Sequence, residues 1–292
     1  MKILECDWIT KSYGGSKVAL KDIKFSVNKG EKVGLVGPIG SGKTTLLRLI
    51  SGILDSTQGN LKMAVEENKI HYMPVLGGLV PDLNVRDNIE IWRVAYNESK
   101  ENVECIVEKL GLEKFLLKKV KQLSSGMKTI VSFVCTILGN PQLVLLDEPF
   151  VHLDIENCLK IIDIIQEYLC DSTIIVSSHN LEYVDKIVDT FLFIKDGKQL
   201  YYSPANEMRR EYGSDWFKIT IDGNIKPKTK VNLKQQYKVN VVEPSDVYFY
   251  RPNISLEKAK KLLEKENLKI KQVCDPCVEL KDIYLNIMNE RY

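Results

Sequence analysis

Gly37-Pro38-Ile39-Gly40-Ser41-Gly42-Lys43-Thr44 decides the reading of this chain, because the eight residues spell a complete phosphate-binding loop. Val33-Gly34-Leu35-Val36 before it reads as a short buried strand, and Thr45-Leu46-Leu47-Arg48-Leu49-Ile50 after it as an amphipathic helix. A strand–loop–helix context separates a working P-loop from a chance glycine run. Glycines at 37, 40 and 42 let successive N–H groups turn inward toward phosphate oxygens, above a helix N-terminus that already favours anions. Lys43 is then placed for the β- and γ-phosphates and the Thr44 hydroxyl for Mg²⁺. Gly37, Pro38, Ile39, Gly40, Ser41, Gly42, Lys43, Thr44 and Thr45 are therefore the candidate contacts to a nucleoside triphosphate.

Composition excludes several classes. The chain has 292 residues, room for one large domain or a domain with an appendage. A hydrophobic fraction of 44% suffices for a proper core. The net charge of +2 gives no global pull toward nucleic acid, and no nucleic-acid partner is expected. Seven scattered cysteines predict a reduced, cytoplasmic setting. Met1-Lys2-Ile3-Leu4-Glu5 turns acidic too early for a secretory leader. No apolar run approaches the roughly 18–20 residues that a bilayer crossing needs, so any membrane role is expected through a partner.

Working outward from the loop, strands are expected at 2–9, 20–27 and 33–37, with the loop's helix ending at Gly52. His71-Tyr72-Met73-Pro74 reads as a strand end, followed by helices at Val85–Tyr96, Glu101–Leu110 and Gly126–Leu138. Leu143–Leu146 and Thr173–Val176 have the compact apolar character of buried parallel strands, and Glu156–Leu169 between them is helical. Strands alternating with helices predict an α/β layered core. The texture changes after Tyr202. Ser203–Gly213 is polar and helical or linking. Strands at Trp216–Asp222, Tyr237–Val242, Asp246–Arg251 and Lys269–Cys274 then mix with helices at Ser255–Glu266 and Leu280–Asn289, predicting a small α+β domain. Lysines in 255–271 read as a solvated helix face. Cys274-Asp275-Pro276-Cys277 has the spacing of half a zinc site, but no second ligand pair accompanies it, and the cysteines read as incidental.

A second constellation narrows the chemistry. Leu143-Val144-Leu145-Leu146-Asp147-Glu148 is an apolar strand that delivers two carboxylates at its C-terminal tip. Asp147 is placed for the metal shell, and Glu148 for polarising an attacking water. Leu123-Ser124-Ser125-Gly126-Met127 lies upstream, and Ser178-His179 follows the next apolar strand.

In order and spacing this set resembles the ATP-binding subunit of an ABC transporter over roughly residues 3–202. The resemblance implies an α/β fold: a P-loop NTPase domain of ABC ATPase type with a mixed sheet and a helical signature subdomain near 76–140. This would fill residues 1–212, with a small C-terminal α+β domain at 213–292. It implies that Tyr13 stacks on adenine and that Leu153-Asp154 is the D-loop. His179 would be the switch histidine, catalytic together with Glu148. Ser124, Ser125, Gly126 and Met127 would contact the nucleotide of a second subunit, and Thr44 and Asp147 would hold the metal. Residues 79–88 and the ending Val278-Glu279-Leu280-Lys281-Asp282-Ile283-Tyr284-Leu285 resemble bacterial ABC-2 type exporters. The implied function is ATP hydrolysis with ATP and Mg²⁺. The implied partners are an integral membrane permease subunit and a second ATPase subunit, as homodimer or heterodimer. The implied location is the cytoplasmic face of the membrane. A soluble ABC ATPase with a regulatory or immunity role is the alternative.

The chain departs from the family pattern in several places. Val75 occupies the usual Q-loop glutamine position, Ser125 a signature glycine, and Ile130 and Cys135 positions where arginines are common. His152 enlarges a D-loop position that is usually small. These substitutions are expected to cluster on the face that closes onto the second subunit. Helix 85–93 either receives a helix of the membrane partner or belongs to the core.

Overall fold

Alternating apolar and polar residues draw Lys2–Tyr13 (β1) and Lys17–Asn28 (β2) into an antiparallel pair. The computed structural model describes every residue except 15–16, 76, 226, 238, 243–244, 252, 267, 275–279 and 291–292. By its contacts the chain separates into two compact units, Met1–Tyr202 and Ser203–Tyr292.

In the first unit, the remaining strands are β3 (Lys32–Val36), β4 (Gln58–Met63), β5 (Ile70–Met73), β6 (Leu143–Asp147), β7 (Thr173–Ser177), β8 (Thr190–Lys195) and β9 (Lys198–Pro204). The helices are α1 (Lys43–Ile50), α2 (Val85–Ala95), α3 (Lys100–Lys109), α4 (Ser125–Ile137), α5 (Ile155–Tyr168) and α6 (Leu181–Asp185). One mixed sheet runs β4-β1-β2-β9-β8-β3-β7-β6-β5. Strands β8, β3, β7, β6 and β5 are mutually parallel, and β6 and β7 are buried at every residue. Burial on both faces explains their unbroken apolar sequences.

Helix α1 lies inside this core. Leu46, Leu47, Leu49 and Ile50 pack with Leu143, Leu145 and Ile175 of the parallel strands and with Leu4, Ile23 and Val27 of β1 and β2. Each such side chain, fully buried, contributes about 1.5–3 kcal/mol. The loop preceding α1 is therefore anchored to the centre of the fold. Helices α2 and α4 pack on each other, and α4 also packs on β5, forming the helical layer.

Several elements differ from the sequence pattern, β8 and β9 among them, where no strand is expected. β1 continues beyond residue 9 to Tyr13, across a register shift between Cys6 and Ile9 where Trp8 has φ 55°. That irregularity breaks the alternation while the ladder resumes beyond it. β4, Gln58-Gly59-Asn60-Leu61-Lys62-Met63, lacks a strand-like apolar pattern and is held by antiparallel pairing to β1. A correction concerns Ile130 and Cys135. Both lie on α4 with 4% exposure, and burial pushes the Cys135 thiol up to about 12. They are interior packing positions rather than parts of an open face; an unpaired arginine there would carry a buried charge.

The second unit comprises α7 (Ala205–Asp215), β10 (Trp216–Ile221), α8 (Pro227–Gln236), β11 (Val239–Val242), β12 (Asp246–Tyr250), α9 (Leu256–Lys265), β13 (Ile270–Cys274) and α10 (Leu280–Glu290). Its sheet has the antiparallel order β11-β12-β10-β13. With α8 and α9 this is a βαββαβ, ferredoxin-like arrangement. Phe217, Ile219, Val247 and Phe249 pack against Leu233 of α8 and Ala259 and Leu263 of α9. Trp216 and Tyr248 are buried too, with Leu285 of α10 against them. Ser255 caps α9 by accepting from the Lys258 N–H at 3.4 Å. Helix α8 is missed by apolar periodicity because Leu233 is its one buried large apolar side chain among the described residues. Cys277 and the start of the exporter-like ending lie outside the described residues. Among those described, no helix is long and apolar enough to cross a membrane.

Because the core around Phe249 belongs to the second unit alone, Phe249→Ala should cost that unit about 3–5 kcal/mol. Urea unfolding followed by tryptophan fluorescence should show an early transition, while nucleotide binding by the first unit persists in low denaturant.

Candidate nucleotide site

The turn from β3 into α1 leaves no room for side chains at two glycines. A Cβ on Gly37 would sit 2.0 Å from the Ile194 carbonyl oxygen and 2.7 Å from Ser41 Oγ. Gly42 caps α1 at φ 106°, where a Cβ would meet Leu20 at 2.6 Å and the Ala19 carbonyl at 2.8 Å. Only glycine satisfies both the left-handed backbone and the close approach. The Lys43 ammonium donates to the carbonyls of Gly37 at 2.7 Å and Pro38 at 3.2 Å, and stands 4.0 Å from Glu148 Oε1. Burial pulls its pKa below the ordinary lysine value, and Glu148 and Asp147 oppose that shift. Ser41 Oγ is buried with no hydrogen-bond partner among the described residues. An unpartnered hydroxyl beside the unpaired N–H groups of a helix's first turn fits an incoming phosphate.

The carboxylates arrive on β6. Asp147 has 0% exposure, accepts from Ser177 Oγ at 2.6 Å on Oδ1, and accepts from the Tyr72 hydroxyl at 3.3 Å on Oδ2. Arg48 of α1 lies beside Tyr72, which raises the arginine's pKa. Among the described residues Asp147 forms no ion pair within 4.0 Å. A buried, oriented carboxylate of this kind fits a hard divalent cation that takes oxygen donors. Glu148 follows at φ 55°. A non-glycine residue held there costs about 1–3 kcal/mol and persists only when its surroundings over-determine it. Here its N–H donates both to the Ser177 carbonyl at 3.0 Å and to Ser177 Oγ at 3.1 Å. The turn aims the Glu148 carboxylate at His179, whose Nδ1 lies 2.9 Å from Oε2 and whose backbone N–H donates to the same oxygen at 3.3 Å.

These groups share one cavity of about 610 Å³, bordered by Tyr13, Ile39, Gly40, Ser41, Gly42, Lys43, Thr44, Thr45, Glu148 and His179. Gly37 and Pro38 accept from Lys43 without bordering the cavity, and Asp147 is fully buried and off its wall. Asp196 and Gly197, absent from the sequence reading, also border the cavity. They form the β8–β9 turn at φ 49° and 74°, and the Gly197 N–H donates to the Ser41 carbonyl at 3.1 Å. An Asp-Gly pair between two strands was the available signal. Tyr72, Arg48 and Ser177 were also unread, since nothing in a linear sequence marks them as neighbours of Asp147.

Ser124, Ser125, Gly126 and Met127 do not border this cavity. They open α4, where Ser124 Oγ caps the helix by accepting from the Met127 N–H at 3.3 Å. The backbone at His152 abuts them: a Cβ on Gly126 would lie 2.4 Å from the His152 carbonyl oxygen, and His152 has φ 62°. Asp154 caps α5 by accepting from the Asn157 N–H at 2.8 Å. Val75 is half-buried and also lies off the cavity wall. On helix α2, Val85 and Ile89 are buried, while Ile91 and Val94 are exposed. Because Gly37 is hemmed by backbone, Gly37→Ala should destabilise the first unit by about 1–3 kcal/mol. A lower thermal midpoint and loss of nucleotide-induced stabilisation would register the displaced loop.

Comparison with known proteins agrees with this geometry. The ABC transporter family model matches residues 20–151. An uncharacterized ABC transporter ATP-binding protein of Methanocaldococcus jannaschii is 35% identical over 208 residues, covering 70% of this chain and 78% of that protein. The linearmycin resistance ATP-binding protein LnrL of Bacillus subtilis is 28% identical over 236 residues, covering 76% of each chain. A solved ATP-binding subunit of an ABC transporter superposes with a TM-score of 0.65 at 25% identity, over 72% of this chain and 93% of that one. With its loop, paired carboxylates and mixed sheet, the chain belongs to the ATP-binding subunits of ABC transporters, which are ABC-type ATPases.

Proposed function

We propose that this chain is the ATP-hydrolysing subunit of an ABC exporter, residues 1–212 carrying the nucleotide and 213–292 serving as an accessory domain. The observation that carries the reading is the convergence of Lys43, Glu148 and His179 on one cavity. The loop N–H groups and the Ser41 hydroxyl bind the phosphates, and Lys43 exchanges its Gly37 and Pro38 carbonyl contacts for phosphate oxygens. Tyr13 offers its ring to the base. The Thr44 hydroxyl and Asp147 would hold Mg²⁺, which when bound neutralises charge on the β- and γ-phosphate oxygens. Glu148 orients the attacking water and accepts its proton, while His179, tethered to Glu148, senses the γ-phosphate.

Ser124, Ser125, Gly126 and Met127 stand off this cavity, which supports a role toward the nucleotide of a second subunit. In this reading ATP closes two subunits head to tail and hydrolysis reopens them, driving a membrane permease partner at the cytoplasmic face. The exposed Ile91 and Val94 of α2 are candidates for that contact. The exporter assignment is supported by LnrL, whose name is that of a resistance protein, and by the exporter-like residues 79–88.

Glu148→Gln should lower phosphate release by about 10²–10⁴-fold while ATP binding survives. A rate equal to wild type would exclude Glu148 as the hydrolytic base. For the transport reading, the tagged chain expressed in its native host should co-purify with an integral membrane chain in mild detergent. Recovery without any membrane polypeptide would favour the soluble alternative.

A further inference from the structure

Ser177 ends β7, and the parallel register sets it directly opposite Asp147 at the end of β6. Side chains of register partners in parallel strands project to the same face of the sheet, so the two must meet. The Ser177 side chain has 0% exposure, and its single hydroxyl serves both carboxylate residues at once. It donates to Asp147 Oδ1 at 2.6 Å and accepts from the Glu148 N–H at 3.1 Å. The first bond fixes the rotation of the Asp147 carboxylate. The second helps hold Glu148 at φ 55°, the conformation that directs its carboxylate toward His179 and Lys43. Leucine, isoleucine or valine would suit a wholly buried strand end better than serine. A polar side chain there is explained by what it holds.

We propose that Ser177 is a positioning residue of the hydrolytic site: its hydroxyl couples the orientation of Asp147 to the turn that presents Glu148. Ser177 does not border the cavity and acts through its two neighbours. The inference rests on the reading that Asp147 holds the metal and Glu148 the water. It assigns Asp147 two oriented hydroxyl partners, Ser177 on Oδ1 and Tyr72 on Oδ2, leaving the remaining lone pairs for an ion. Partners that orient a metal-binding group govern its affinity, and their removal typically weakens metal binding by about 10–100-fold.

The test compares full-length wild type, Ser177→Ala and Ser177→Cys. Two quantities are measured: steady-state ATP hydrolysis, and the Mg²⁺ concentration that half-saturates the rise in melting temperature produced by ADP. The second readout needs no turnover. Both variants should bind ADP without metal as wild type does, since the loop is untouched. Their half-saturating Mg²⁺ should rise by about 10-fold or more, and kcat should fall at least 10-fold with KM for ATP within about threefold of wild type. If Ser177→Ala folds poorly, Ser177→Cys fills nearly the same space with a weak hydrogen-bonding group and carries the same expectation. Variants that keep both Mg²⁺ half-saturation and kcat within twofold of an active wild type overturn the role of Ser177 alone. Equal weakening of ADP binding with and without Mg²⁺ also overturns it, because that is the signature of a packing defect. A wild type whose hydrolysis and ADP-induced stabilisation are both indifferent to Mg²⁺ overturns the hydrolytic reading together with this inference.

Discussion

The burial of α1 is the constraint on which the rest of the molecule depends. Leu46, Leu47, Leu49 and Ile50 sit in the same core as the buried faces of β1, β2, β6 and β7. A helix so enclosed cannot shift without disturbing two parts of the sheet, because protein interiors are close-packed. The loop at its N-terminus inherits that rigidity. Gly37 and Gly42 then supply the local freedom that side chains would forbid. A phosphate site made of backbone N–H groups needs this combination, since its donors are only as well placed as the chain that carries them.

The parallel strands provide the second half of the site by the same logic. β6 and β7 end together, and their register brings Asp147 opposite Ser177 and Glu148 beside His179. The strained φ of Glu148 is offset at its own amide, where two Ser177 oxygens accept the N–H. That single shared donor contributes about 0.5–1.5 kcal/mol net, against a strain of about 1–3 kcal/mol at that position. The arrangement of the two carboxylates is thereby set by sheet geometry. Tyr72 of β5 adds a second hydroxyl partner to Asp147, so the neighbouring strand also fixes that carboxylate.

Substitutions that look functional in a linear alignment with the family divide once burial is known. Ile130 and Cys135 are interior positions of α4, where apolar character is required by packing. Ser125 and His152 are exposed, and His152 shares a tight backbone contact with Gly126.

The sequence by itself determined the phosphate loop, the carboxylate pair and most of the strands and helices, because each depends on residues close together in the chain. Apolar runs bounded by polar residues marked β6 and β7, and Gly-x-x-x-x-Gly-Lys-Thr marked the turn into α1. β4 and α8 escaped that reading since their own residues carry too little apolar pattern, and pairing or packing with distant segments holds them. The βαββαβ order of the second unit was equally a matter of strand pairing. Ser177, Tyr72 and Asp196 reached the site only through tertiary structure. Their neighbours at Asp147 and Ser41 lie tens of residues or more away along the chain, and strand register and the β8–β9 turn, rather than local propensity, bring them within hydrogen-bonding reach or onto the cavity wall.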